Sequence, residues 1–135
     1  MKYTTVRWQQ RFQHFEKSLA LMRRIAELRE RSEGERMGLI QSFEMCFELA
    51  WKTTKDYLDA KGYAVKAPRE VLRQAVQDGI IVDDGRVFME ALDSRNEIAH
   101  IYDESSAKAL EKRIITEYAP AFLELHGFFK QHYAE

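Results

Sequence analysis

Apolar side chains recur at three- and four-residue steps along most of the chain, which is the period of an amphipathic helix. The first stripe predicts a helix over about residues 7–31, and the second predicts one over about residues 37–61. Between them, the segment ERSEGER interrupts the pattern with charge and with Gly34. The stripe positions are Trp8, Phe12, Phe15, Leu19, Met22 and Ala26, then Leu39, Ile40, Phe43, Cys46, Phe47, Ala50, Thr54, Tyr57 and Leu58.

Glycine and proline positions divide the remainder of the chain. Gly62 follows the second stripe as a helix stop, and a short third helix is predicted between Pro68, in its first turn, and Gly79. The segment GIIVDDGRV predicts a turn, with a two-residue hairpin at Asp84-Gly85 as the alternative. A fourth helix is predicted over about residues 87–100, and a fifth over about residues 104–132 with Asp103 as its N-cap.

Four substantial helices and one short helix predict an all-α fold. We expect an antiparallel four-helix bundle with an additional short helix, formed by a single domain over residues 1–135. Hydrophobic residues make up 45% of the chain, which is enough for one core, and the net charge of -1 gives no global signal for a polyanion. The one cysteine, Cys46, excludes an intramolecular disulfide.

The chain contains no apolar run approaching the ~20 residues of a membrane span. Its N-terminus, MKYTTVRWQQRF, also lacks the apolar core of a signal peptide. We therefore expect a cytoplasmic protein with no membrane association.

The segment RNEIAHIY, residues 95–102, concentrates reactive side chains in the fourth predicted helix. Its Arg95 falls on the apolar stripe formed by Phe88, Ala91, Leu92, Ile98 and Ala99. Burying an unpaired guanidinium costs several kcal/mol, so Arg95 needs a carboxylate or an open cleft. Glu44 and Glu48 of the second helix, beside Trp51 and Lys52, are the predicted partners and supporting residues. A purely structural ion pair is the alternative.

His100 follows Arg95 by five residues, which is about 140° around an ideal helix. One helix therefore does not bring the two head groups together, whereas Asn96 and His100 share a face. A homodimer would supply the second copy of the segment, because a two-fold axis brings the same patch against itself. Arginine holds a phosphate and histidine transfers protons near neutral pH, a pair that suits metal-independent cleavage of RNA by its 2′-hydroxyl. The alternative for His100 is a helix-terminal histidine favoured by the dipole.

Other chemistry finds little support in the sequence. His14, His126 and His132 fit no ligand spacing, so no metal is expected, and no cofactor is predicted. The chain lacks a glycine-rich phosphate loop and the G-S and D-x-D pairs of a nucleotidyltransferase, so it is not expected to be the catalytic subunit of one. A basic cluster around the Pro68 turn is either a phosphate contact or a solvated face; its members are Lys61, Lys66, Arg69 and Arg73.

RNEIAHIY also has the R-x4-H-x-Y form of the HEPN superfamily motif. Together with LIQSFEMCFELAWKTTKDYL, APREVLRQA and DSRNEIAHIYDE, it makes most of the chain resemble the nucleotidyltransferase substrate-binding protein family. The resemblance implies a HEPN-like helical bundle that dimerises and binds a minimal nucleotidyltransferase. In related toxin–antitoxin pairs the HEPN protein is a metal-independent ribonuclease, which the nucleotidyltransferase silences by attaching AMP to the motif tyrosine.

Carried over by position, the resemblance makes Arg95 and His100 catalytic, Asn96 their support and Tyr102 the AMP acceptor. If the helix continues, Tyr102 returns to the face of Arg95 and an attached phosphate lies beside that arginine; an aromatic core residue is the alternative. Three functions follow: a ribonuclease toxin held in check by its partner, a non-catalytic subunit binding a nucleotide or other substrate, and a scaffold dimer. The complete motif disfavours the scaffold.

Overall fold

The computed structural model describes residues 2–134, and within them the chain is helical and contains no strand. The α-helices are α1 (Lys2–Ala26), α2 (Glu33–Ala60), α3 (Pro68–Gln77), α4 (Arg86–Asn96), α5 (Glu104–Arg113) and α6 (Ala119–His132). A 3₁₀ turn, Ile98–His100, follows α4, and a π-helical turn, Ile114–Tyr118, joins α5 to α6. The predicted all-α bundle is confirmed, with α3 as the additional short helix.

The core forms where the apolar stripes of α1, α2 and the α5–α6 helix meet. Helix α2 is central, since it packs against α1, α3, α4, α5 and α6. At one end of the bundle Trp8 is almost fully buried, and its ring meets Tyr57 edge-on at a centroid distance of 5.1 Å and lies 5.7 Å from Phe129. The predicted stripe positions therefore supply the core, as burial of an amphipathic face requires.

The junction between α1 and α2 lies earlier than predicted. Helix α1 ends at Ala26 rather than near residue 31, and α2 begins at Glu33 rather than near residue 37. Ser32 caps α2: its hydroxyl accepts from the backbone N–H of Glu35, whose carboxylate accepts from the N–H of Ser32. Because this reciprocal capping box fixes the first turn, Gly34 lies inside the helix instead of in the break.

A shared carboxylate ties this junction to α5. Glu111 accepts from Arg31 Nε at 2.5 Å and from Arg36 Nε at 3.0 Å, and all three side chains are only 12–13% exposed. Burial acts to raise the pKa of Glu111, but the hydrogen bonds and the positive charges of Arg31 and Arg36 together outweigh it and hold the pKa below its ordinary value. The carboxylate is therefore charged at neutral pH and fastens the α1–α2 loop.

The hairpin considered at Asp84-Gly85 does not form. Instead, the carboxylates of Asp83 and Asp84 accept from the backbone N–H groups of Gly85 and Arg86, and α4 starts there. Gly85 precedes α4 with φ of +78°, a conformation that side chains disfavour, and a Cβ on it would lie 2.7 Å from Val76 Cγ2. Two aspartates and a glycine thus favour a tight turn over strand pairing.

Helix α4 is shorter than predicted. It ends at Asn96, so the remaining residues of the predicted helix form the 3₁₀ turn, and Ala99 is exposed rather than part of the core. The side chain that packs inward near the end of α4 is Ser94, whose hydroxyl oxygen lies 2.8 Å from that of buried Tyr118. Tyr118 also donates to the carbonyl of Glu90 at 3.3 Å, and burial raises its pKa.

The π-helical turn places Tyr118 for this contact. Pro120 lies two residues beyond the turn and has no N–H to donate to the helical carbonyl before it. A π-turn widens the helix locally and accommodates such an interruption. The predicted fifth helix is therefore one element interrupted near its middle, and the interruption fixes the C-terminal end of α4.

Candidate functional site

Arg95 lies in the last turn of α4 and forms an ion pair with Glu48 of α2, one of its two predicted partners. A second guanidinium nitrogen donates to Asn96 Oδ1 at 3.0 Å. The buried Nε of Arg95 has no hydrogen-bond partner among residues 2–134. About a third of the side chain, 32%, is exposed, so the guanidinium is held in place and still open to a ligand.

Glu48 also contacts Trp51 and Lys52, the other predicted supporting residues. It accepts from the indole N–H of Trp51 at 3.3 Å, and Lys52 Nζ lies 3.7 Å from the same carboxylate. The ammonium group of Lys52 is also 6.0 Å from the centre of the Trp51 ring. Two cations therefore share one carboxylate, which leaves an excess positive charge beside an aromatic face. Glu44, the other predicted partner, makes no ion pair within the described part of the chain.

His100 lies on the 3₁₀ turn and faces a different environment from Arg95. It lines an open groove of about 410 Å³ together with Glu97, Ser106 and Arg113. The guanidinium of Arg113 lies 5.3 Å from the centre of the Tyr118 ring and 3.9 Å from a Glu90 carboxylate oxygen. Among the described residues no hydrogen bond or ion pair joins His100 to Arg95. The arginine that lines the groove with His100 is Arg113.

Tyr102 is 89% exposed, which excludes the alternative of an aromatic core residue. The expectation that it returns to the face of Arg95 is also wrong, because α4 ends six residues before it. Tyr102 instead lines a smaller groove of about 240 Å³ with Arg36 and Met37. Asp103, the predicted N-cap of α5, follows it and accepts from the N–H of Ser106 at 2.8 Å. The side-chain and backbone hydrogen bonds of Ser106 lower the pKa of Asp103.

The basic cluster near Pro68 does not converge on a cavity. Arg69 pairs with Asp93 of α4 at 3.3 Å, and the Lys61 ammonium lies 5.2 Å from the centre of the Tyr57 ring. Lys66 and Arg73 are exposed. The solvated-face interpretation therefore describes this cluster better than a built phosphate site.

Comparison with known proteins identifies the family of the chain. The sequence model of the family described as nucleotidyltransferase substrate binding protein like matches residues 10–131. The chain belongs to this family. A protein from Thermus thermophilus of known crystal structure is 33% identical to it and superposes with a TM-score of 0.78, covering 84% of this chain and 96% of that one. No match is found among functionally curated proteins.

Three residues of this family member that line or support the two grooves escaped sequence reasoning. Arg113 belongs to no motif, and Arg36 lies in the charged segment that interrupts the apolar pattern. Neither position therefore indicates a functional residue in the sequence. Ser94 did give a signal, because it follows Ala91 by three residues and so falls on the α4 stripe. Within residues 2–134 no group of His, Cys, Asp and Glu side chains is arranged to hold a metal ion. None of the described helices has the length and apolarity needed to cross a membrane.

Proposed function

We propose that this chain binds a minimal nucleotidyltransferase and carries, in residues 95–102, a phosphate-handling site that this enzyme switches off through Tyr102. The observation that carries the proposal is the position of Tyr102: it is 89% exposed and lies outside any helix, between the 3₁₀ turn and α5. A side chain presented in this way can enter the active site of another protein without unfolding its own domain. The family to which the chain belongs supports the choice of partner.

The proposed modification is a nucleotidyl transfer. The phenolic oxygen of Tyr102 attacks the α-phosphate of ATP, pyrophosphate leaves, and the phenolic proton passes to solvent or to a base of the nucleotidyltransferase. The product is AMP joined to Tyr102 by a phosphodiester bond. The reaction places a charged, bulky group on the segment that carries His100 and Arg95.

In the unmodified chain the proposed activity is metal-independent cleavage of RNA. His100 would transfer the proton as the 2′-hydroxyl attacks the phosphate and the 5′-oxygen leaves. Within the described residues no hydrogen bond or ion pair joins Arg95 to His100, and Arg95 does not line the groove of His100, so we propose a homodimer in which the two copies of residues 95–102 complete one site. Arg113, in the groove of His100, is a second phosphate-binding candidate.

A second candidate is a non-catalytic subunit that binds a nucleotide and presents it to the nucleotidyltransferase. The arrangement of Trp51, Lys52 and Arg95 around Glu48 favours it, because an aromatic face beside two cations suits a nucleotide base and its phosphates. In this case Arg95 binds substrate without chemistry.

One experiment separates the two candidates. The chain is incubated with ATP and a minimal nucleotidyltransferase from the same genome, and the products are analysed by mass spectrometry and by an RNA cleavage assay. We expect AMP on Tyr102 and loss of cleavage on modification. The Tyr102→Phe variant should resist modification, whereas Tyr3→Phe, which alters another tyrosine that is 75% exposed, should not.

A different result would contradict each part of the proposal. A complex with the nucleotidyltransferase, without adduct and without cleavage by the unmodified chain, would favour the binding subunit. Sedimentation that finds only monomer at micromolar concentration would contradict the proposed dimer. No complex with any nucleotidyltransferase from that genome would refute the proposal as a whole.

A further inference from the structure

The groove beside Tyr102 has features of a nucleotide site that the motif does not predict. It lies where the first turns of α2 and α5 meet, and its volume is about 240 Å³. Tyr102 forms one edge, while Arg36 and Met37 of α2 line the groove with it. Neither Arg95 nor Glu48 lines this groove, and α4 ends before the chain reaches Tyr102.

Arg36 is fixed in a conformation that leaves donors available. Its Nε donates to Glu111 at 3.0 Å, and one terminal nitrogen donates to the carbonyl of Arg31 at 3.4 Å. The other terminal nitrogen has no acceptor within residues 2–134. The side chain is 13% exposed and therefore already ordered. A phosphate that binds it would not have to immobilise a flexible arginine, which lowers the entropic cost of binding.

The helix ends around the groove also favour an anion. Both α2 and α5 begin beside the groove, since Glu33 of α2 and Glu104 of α5 lie on its wall, and the first turn of a helix carries a partial positive charge. Carboxylates oppose this effect, but Asp103 is engaged by the N–H of Ser106, and Glu104 pairs with Lys108 at 2.9 Å. Glu33 is the remaining acid on the wall.

Met37 supplies an apolar surface in the same groove. Its side chain is 46% exposed, although it lies on the central helix of the bundle. A flexible, polarizable thioether packs well against the face of an aromatic ring such as a nucleobase. The groove therefore combines an anion site and an apolar surface within reach of the Tyr102 hydroxyl.

We infer that the nucleotidyl group carried by Tyr102 docks in this groove, with its phosphate at Arg36 and its base against Met37. The inference rests on the proposed function for the attachment of that group. Docking would hold the modified tyrosine against α2 and shield the new phosphodiester bond. Arg36, rather than Arg95, is then the residue that stabilises the silenced state.

The first test needs no nucleotidyltransferase. AMP is titrated into the unmodified chain to ~10 mM, a concentration comparable with that of a tethered group. The methionine methyl groups are followed by NMR, and the Met37 signal is assigned from Met37→Leu. We expect Met37 to shift while Met45, which is 52% exposed further along α2, does not. Arg36→Gln should weaken AMP binding roughly tenfold, the loss of one charge-assisted contact.

Arg31→Gln is the matched control, because it also loses a contact to Glu111 but does not line the groove. An equal effect of the Arg31 and Arg36 variants on AMP binding would overturn the inference, since the cause would be the shared carboxylate. An unchanged Met37 signal throughout the titration would also overturn it.

The second test uses chain that carries AMP on Tyr102 and measures removal of the group by a phosphodiesterase. Removal should be roughly tenfold faster from Arg36→Gln than from the wild type or Arg31→Gln, because docking shields the bond. Equal rates would overturn the inference even though the adduct forms. If Tyr102 acquires no adduct, the proposed function fails and the docked adduct fails with it, whereas the AMP titration still decides whether the groove binds a nucleotide.

Discussion

Replacing Arg95 by methionine should remove function and leave the fold at least as stable as before. The change deletes a guanidinium that pairs with Glu48 and keeps a side chain of similar length along the α4 surface. The two side chains are 32% and 24% exposed, so solvent screens their attraction and the pair contributes about 1 kcal/mol. After the substitution Glu48 still has Trp51 and Lys52 around it, so its charge is not left isolated.

A second effect works in the opposite direction. The Nε of Arg95 is buried without a partner, and such a donor costs about 1–3 kcal/mol, which the substitution removes. The gain equals or exceeds the loss, so the net change in the free energy of unfolding should lie between about 0 and 2 kcal/mol in favour of the variant. For a chain of this size that corresponds to an unchanged melting temperature or a rise of less than about 8 °C. Loss of a preorganised donor to a phosphate, by contrast, should slow cleavage by about 10²–10³.

The assay combines thermal unfolding with the rate of RNA cleavage by unmodified chain, and with ATP affinity if cleavage is absent. Arg69→Met is the matched control. Arg69 of α3 pairs with Asp93 of α4, the helix that also carries Arg95, and Arg69 lies outside the candidate site. It should change melting and function little. If Arg95→Met lowers the melting temperature by more than about 10 °C, Arg95 is a structural residue and the reasoning fails. Unchanged function in a stable variant would refute its role in the site.

Three further predictions concern the fold that carries the site. Gly85→Ala should destabilise the chain by about 1–3 kcal/mol in chemical denaturation, because φ is +78° and the new Cβ meets Val76; an unchanged midpoint would contradict the observed turn. Tyr118→Phe should cost about 1–2 kcal/mol by leaving the buried Ser94 hydroxyl without its partner, and Ser94→Ala added to it should recover part of that loss. The pKa of Glu111 is lower in the folded chain than its ordinary value of 4.5, so its ionised form stabilises the fold. This contribution is fully present at pH values above 4.5 and is lost as the pH falls through the folded-state pKa. Melting temperature should therefore drop on acidification, and Glu111→Gln should flatten that drop.

The helices could be predicted because their apolar stripes are long, and because residues that repeat at the helical period form the face that is buried. Their ends could be predicted only where a local signal is strong. Ser32 and Glu35 form an S-x-x-E signature that predicts the start of α2, whereas a charged stretch containing Gly34 suggested a longer break. The π-turn had its own signal in Pro120, which breaks an otherwise continuous helical pattern.

The sequence could name the residues of the candidate site but not their arrangement in space. The pairing of Arg95 with Glu48 followed from the cost of burying a charge on an apolar stripe. The positions of His100 and Tyr102 did not, because Ile98 and Ala99 extend the apolar pattern beyond the true end of α4. The angle per residue of an ideal helix cannot place side chains that lie beyond the end of the helix. Arg113 is brought to His100 by tertiary packing, which no local pattern encodes.

The two tryptophans give the chain two separate optical reporters. Trp8 is buried among aromatic rings between α1, α2 and α6, so its emission follows the packing of the bundle. Trp51 is half-buried, with its indole N–H on Glu48 and a lysine ammonium beside the ring, so its emission senses the charges around Arg95. A Trp8→Phe chain would fluoresce from Trp51 alone. Arrival of an anion at Arg95 could then be followed in solution without a label, on a signal free of the Trp8 emission.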